Sequence, residues 1–225
     1  MTKHFIRALL GVAMLAVWAG ITVVPASAGD IYVQPPDNSG NLYASQNDTS
    51  GGNGNFATVY DNFTLGSTSS INMVKWTGGY FNPPTQGAIT AFNVDFWANS
   101  SGAPGASLAS IAGTANETHV GDYGGFPTYS YSLNLGTPFT ALAGTQYWLS
   151  VEPDMGFPPQ WGWATSTGSP GDGTAYQDYF GILSPLGTDF AFSLSGTTAT
   201  PEPGSMLLMA TFLMALGPIV RKKLW

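Results

Sequence analysis

Tyr129-Ser130-Tyr131-Ser132-Leu133-Asn134-Leu135 alternates apolar and small polar side chains without a break. Successive side chains of a β-strand point to opposite faces, so this stretch reads as a strand with one buried face. The same period recurs on both sides of it. Phe92, Val94 and Phe96 alternate with Asn93 and Asp95. Tyr147, Leu149 and Val151 share a face, as do Phe190, Phe192 and Leu194. These eight residues (Phe92, Val94, Phe96, Tyr147, Leu149, Val151, Phe190 and Phe192) are the expected inner faces.

Weaker strands are expected at Ile31–Val33, Thr58–Leu65, Ile71–Trp76, Leu108–Gly113, Trp161–Thr165 and Ala175–Tyr179. Turn residues punctuate them: Pro35-Pro36-Asp37-Asn38, Gly51-Gly52-Asn53-Gly54, Asn82-Pro83-Pro84, Gly102-Ala103-Pro104-Gly105 and Pro170-Gly171-Asp172-Gly173. Gly, Asn, Asp and Pro at such spacing mark hairpins. No long helical pattern and no internal repeat lies between residues 30 and 200. About ten short strands in two layers predict an all-β chain: a single antiparallel β-sandwich of jelly-roll-like type.

The two ends differ sharply from this middle. Residues 1–28 carry Lys3 and Arg7, then an apolar run from Ala8 to Val24, then Ala26-Ser27-Ala28. That order is a secretory signal peptide, with cleavage expected after Ala28 so that Gly29 begins the mature chain. The alternative is an uncleaved N-terminal anchor. Residues 201–225 open on Pro201-Glu202-Pro203, run uncharged from Met206 to Val220 and close on Arg221-Lys222-Lys223. A helix over about 204–220 would be roughly 26 Å long, against a hydrocarbon core of roughly 30 Å. The alternative, a buried C-terminal helix, would normally show a polar face. Arg221, Lys222 and Lys223 belong on the cytoplasmic side of such a span, which places the rest of the chain outside.

Of the 6 Lys and Arg residues, only Lys75 lies between residues 29 and 200; 12 of the 13 acidic residues lie there, a formal charge of −11. A domain so charged offers no clustered cations to nucleic acid or anionic lipid. The chain has no Cys. Disulfides, thiol chemistry and cysteine metal sites are therefore excluded.

The C-terminal segment resembles the PEP-CTERM sorting signal of Gram-negative bacteria that make extracellular polysaccharide. Pro201, Glu202 and Pro203, the apolar helix and the basic end match its three parts. Thr200 stands where the family usually has Val, and two of the three cations are Lys. The resemblance implies recognition by an exosortase, a membrane-embedded cysteine transpeptidase-like protease. It also implies cutting near the motif, and location at the cell surface or release. Signal peptidase is the partner implied at the other end. A looser resemblance covers most of residues 55 to 195. Tyr60-Asp61-Asn62-Phe63-Thr64-Leu65, Val74-Lys75-Trp76-Thr77-Gly78-Gly79-Tyr80-Phe81, Ala103-Pro104-Gly105, Ala143-Gly144-Thr145-Gln146-Tyr147-Trp148-Leu149-Ser150 and Trp161-Gly162-Trp163 look like landmarks of β-sandwich ectodomains attached to such tails. That resemblance implies fold and location only, and it brings no assigned enzymatic activity with it.

Candidate chemistry inside the domain is sparse. His119 is the only histidine after residue 28, and no Gly-x-Ser-x-Gly elbow accompanies it. One histidine without cysteine makes no conventional zinc site. Glu117, Glu152 and the aspartates could in principle supply the two carboxyls of a glycosidase. No spacing singles out a pair, and Glu152 reads as a solvated or turn-capping group. The loop from Asp37 to Asn55 fails both EF-hand registers, because Leu42 occupies the glycine position of one and Val59 the last position of the other. A calcium site of another kind in a sandwich loop stays open beside a plain polar turn. Trp161 and Trp163 share a face, and exposed indoles stack on sugar rings. They are the candidate glycan-binding residues, with aromatic core packing as the alternative.

The expected protein is an exported, non-enzymatic cell-surface or matrix protein without cofactor or metal. It comprises a signal peptide (1–28), an acidic sandwich (29–200) and a sorting segment (201–225). The alternative is a carbohydrate-binding module of the exopolysaccharide or biofilm matrix, and a glycan-active hydrolase stands third.

Overall fold

The computed structural model describes residues 29–199, which form fourteen strands and, among these described residues, no helix. In chain order they are β1 (Gly29–Gln34), β2 (Leu42–Ala44), β3 (Gln46–Asp48), β4 (Gly54–Thr64), β5 (Ser69–Phe81), β6 (Ile89–Ser100) and β7 (Ala103–Gly113). The rest are β8 (Asn116–Tyr123), β9 (Phe126–Ala141), β10 (Gln146–Met155), β11 (Gln160–Ala164), β12 (Ala175–Tyr179), β13 (Ile182–Leu186) and β14 (Phe192–Thr198).

The first sheet is organised around β5. One edge of β5 pairs along most of its length with β9, which carries β8 outside it. The other edge pairs first with β14, which carries β1 outside it, then beyond Thr77 with β11, which carries β2. Gly78 and Gly79 sit where this second pairing begins. A Cβ on Gly78 would run into the Trp161 ring, so the indole lies flat on the strand only because that position has no side chain.

The second sheet runs β13–β12–β4–β10–β6–β7. Strands β4 and β10 pair from Thr64↔Gln146 to Tyr60↔Ser150 and then part. The short β3 fills the fork, antiparallel to β4 and parallel to β10. At the crotch, Ser45 Oγ donates to the Val151 carbonyl at 2.6 Å and accepts the Val59 N–H at 3.1 Å. The hydroxyl replaces the ladder bonds that the diverging strands lose, since a buried backbone group must find a partner.

The two sheets pack across one apolar cluster, the arrangement of a β-sandwich. Val74, Trp76, Tyr131, Trp161 and Leu194 from the first sheet meet Val59, Phe63, Phe92, Val94, Phe96, Leu149 and Val151 from the second. All eight residues expected on inner faces are buried. The six weaker strands are present, most of them longer than expected. Four strands went unread. β2 and β3 are too short to show a period, β8 is a largely exposed edge, and β13 contains Pro185.

Candidate functional site

Trp161 and Trp163 are not a surface platform. Both are 0% exposed. Trp161 Nε1 donates to the Tyr131 hydroxyl at 3.3 Å, and Trp163 Nε1 donates to the Ala191 carbonyl at 2.9 Å. Their rings pack on Phe92 and on Phe190 and Phe192. They do share a face, as the period requires, but that face is the inner one. Their assignment to glycan binding is therefore corrected to core packing. Gly29 opens β1. The other sorting and cleavage residues (Ala26, Ala28, Pro201, Glu202, Pro203, Arg221, Lys222 and Lys223) lie outside the described residues.

The polar and aromatic side chains that the core excludes gather on the outer face of the second sheet. Strand pairing stacks them in rungs. Trp97, Trp148 and Asn62 form one; Asp95, Ser150, Tyr60 and Tyr176 form the next; Asn93, Glu152, Thr58 and Asp178 follow. Trp97 Nε1 donates to Ser150 Oγ at 2.9 Å, and Trp148 Nε1 donates to Asn99 Oδ1 at 3.1 Å. The Tyr60 ring meets Trp97 edge-on, and Tyr176 meets Trp148 the same way. Trp97, Tyr60 and Tyr176 are half-buried, whereas Trp148 is sealed.

Glu152 lies diagonally across the β10–β6 pair from Asp95. It is 5% exposed, and its Oε2 accepts the Thr58 hydroxyl at 3.1 Å. Burial pushes its carboxyl up to about 7; the Asp95 and Asp154 charges add to this, while hydrogen bonds from Thr58 and Asn55 oppose it. Burial raises Asp95 too, against a hydrogen bond from Ser110. Burial first, then the Asp178 and Glu152 charges, raise Tyr60 to about 12. A carboxyl that holds its proton near neutrality has the property a general acid needs. Here it is buried under its own neighbours, without the open approach that catalysis requires. Asp154 closes the row by accepting the amides of Asn47 at 2.8 Å and Asn93 at 2.9 Å. The sequence did signal this face: Trp148, Ser150 and Glu152 are the alternate partners of the recognised core face Tyr147, Leu149 and Val151.

The remaining sequence candidates separate. His119 is exposed on β8, with Nε2 3.0 Å from Asp122 Oδ1 and the Tyr129 ring beside it. Glu117 accepts the Tyr80 hydroxyl at 3.3 Å on the other sheet. Asp48 caps the turn that follows it: its carboxylate accepts the backbone N–H groups of Ser50, Gly51, Asn53 and Phe157. Its oxygens are thus committed to the backbone, the plain polar-turn reading of that loop. A groove of about 380 Å³ runs over the outer face of the first sheet, where Lys75, Thr118, Ser130, Ser132 and Ser193 line it. Lys75 is already engaged there by Asp30 at 2.8 Å.

These features define an all-β, two-sheet domain with one acidic aromatic face. No family model matches the chain, and no curated protein matches it.

Proposed function

We propose that the chain is an exported, non-enzymatic surface or matrix protein, sorted through residues 201–225 by an exosortase of a Gram-negative bacterium. One observation carries the reading. Residues 29–199 are strands and turns with a single cation, while the apolar runs and every other cation are confined to the two ends. That division suits a signal peptide, a folded ectodomain and a membrane helix held by a basic stop. A jelly-roll-like winding belongs to the same reading, supported by pairing of the sequence-distant β1 with β14 and of β5 with both β9 and β14. In this reading His119, paired with Asp122 on an exposed strand, and the enclosed Glu152 carry no catalytic role. The test is the intact mass of the exported protein in strains with and without the exosortase. Loss of the tail only where the enzyme is present is expected, and residues 204–225 retained in both strains would rule the reading out.

A second reading, a carbohydrate-binding module, is favoured by the outer face of the second sheet. Tyr60, Trp97 and Tyr176 stand there beside Asn62, Asn93 and Asp95. Rings that stack on sugars and amides that bond hydroxyls are the two groups such recognition uses. Neutral polysaccharide should then retain the protein independently of salt, and a Trp97→Ala, Tyr176→Ala variant should not be retained. Retention on acidic polymers alone, abolished by salt, would sink this reading.

A further inference from the structure

A cluster of buried oxygens lies at the join between the two sheets, on the inner side of β4; from the aromatic face, Asn62 Nδ2 donates to its Asp172 at 3.0 Å. Asp61 of β4 is 0% exposed, Asp189 before β14 is 2% exposed, and Gln34 at the end of β1 is 1% exposed. Asp172, on the exposed loop above them, completes the group. Lys75 is the one Lys or Arg among the described residues, and it is engaged by Asp30 on the outer face of the first sheet. Two carboxylates taken out of water without a cation carry a large desolvation cost.

The hydrogen bonds present leave the cluster incomplete. Asp61 Oδ2 accepts the Phe190 N–H at 2.6 Å and Gln34 Nε2 at 3.3 Å; its Oδ1 accepts the Asn62 N–H at 2.7 Å. Both oxygens of Asp189 face the Gly173 N–H, at 2.9 and 3.0 Å. Gln34 Oε1 is buried and has no hydrogen-bond partner. It faces Gly171, and so does Asp189 Oδ2: a Cβ on that glycine would meet both oxygens. A buried, unpartnered amide oxygen and a carboxylate oxygen thus converge beneath a loop position that has no side chain.

We propose that this cluster is a site for a hard divalent cation of calcium size. No three carboxylate or imidazole groups among the described residues are placed to hold a metal. The ligand set is accordingly mixed: Asp189 and the Gln34 amide oxygen coordinate, while Asp61 and Asp172 supply negative charge alongside. Calcium takes such sets of carboxylate, amide and water oxygens, and its coordination is tolerant of irregular geometry. The exposed loop at Asp172 and Gly173 is the way in. Burial, opposed by N–H bonds and reinforced by the mutual repulsion of the three carboxylates, raises Asp61 and Asp189 above the usual carboxylate range, and a bound cation reverses that tendency. The cation ties β1 to the segment leading into β14 and offsets the buried charge of Asp61 on β4, so its effect is on stability.

The experiment is thermal unfolding of the full-length protein in mild detergent, stripped with chelator and then titrated with CaCl2 at constant ionic strength. Tm should rise by about 3 to 6 °C at a tenfold excess over Kd, because the ion binds only the folded state. Calorimetry on the same sample should show one saturable site. Asp189→Asn should abolish the calcium response while leaving the chelated protein at least as stable as the original, because it removes a like charge. Gln34→Met carries the same loss of response should Asp189→Asn fail to fold. Asp30→Asn, outside the cluster, should keep the full response. No saturable binding to the unaltered protein overturns the proposal, and so does an equal Tm shift in a folded Asp189→Asn or Gln34→Met variant.

Discussion

Thr58 Oγ1 donates to Glu152 Oε2 at 3.1 Å across the fork where β4 and β10 separate. With the hydrogen bond from Asn55, this contact holds a carboxyl otherwise displaced from water, and it ties the charge state of Glu152 to stability.

Glu152 should make the protein less stable as pH rises. Its folded-state pKa, about 7, lies above its ordinary value of 4.5. The stabilising contribution is therefore complete below pH 4.5 and lost as pH rises through about 7. Glu152→Gln keeps an acceptor for Thr58 and cannot ionise. It should be more stable than the parent at pH 8 by about 2 to 3 kcal/mol and nearly equal to it at pH 4.5. Urea unfolding at both pH values measures this, and identical pH profiles for the two proteins would count against it.

Removing core aromatics should cost fold, not ligand. Phe192 packs on Tyr32 at 5.3 Å between ring centroids and on Trp163 at 5.9 Å. Phe192→Ala should cost on the order of 3 to 5 kcal/mol, and Trp163→Ala a similar amount. Denaturant midpoints test both. A cost under about 1 kcal/mol would place these rings at the surface, because a one-residue register slip turns every side chain over.

Asp48 should act in the opposite pH direction from Glu152. Although burial opposes ionisation, backbone N–H bonds from Gly51, Phe157, Ser50 and Asn53 hold its carboxyl well below the usual range. Its contribution is present above the ordinary value of 3.8 and lost as pH falls through the lower folded-state value. Asp48→Ala orphans those amides and should cost roughly 2 to 4 kcal/mol at pH 7. Hydrogen exchange at the Gly51 and Phe157 amides should speed up in the variant, and unchanged exchange would show that the turns hold without the cap.

Much of this protein was legible because the pleat is local geometry. Alternation along Phe92–Phe96 and Tyr147–Val151 says which side chains share a face before any partner strand is known. Composition likewise confined every cation but Lys75, and the apolar runs, to the ends and excluded cysteine chemistry. Which face turns inward is a different matter. Trp161 and Trp163 share a side in either case, and only the pairing of β11 with β5, over a glycine that leaves room for an indole, buries them. The fork filled by β3 and the meeting of Gln34, Asp61 and Asp189 are beyond any local pattern. Gln34 reaches Asp61 across 27 positions, and Asp61 reaches the Phe190 amide across 129. Such contacts depend on how two sheets close on each other, which no period in the chain records. Alternation along single strands therefore determined the layers, and tertiary packing alone decided which polar groups were shut inside them.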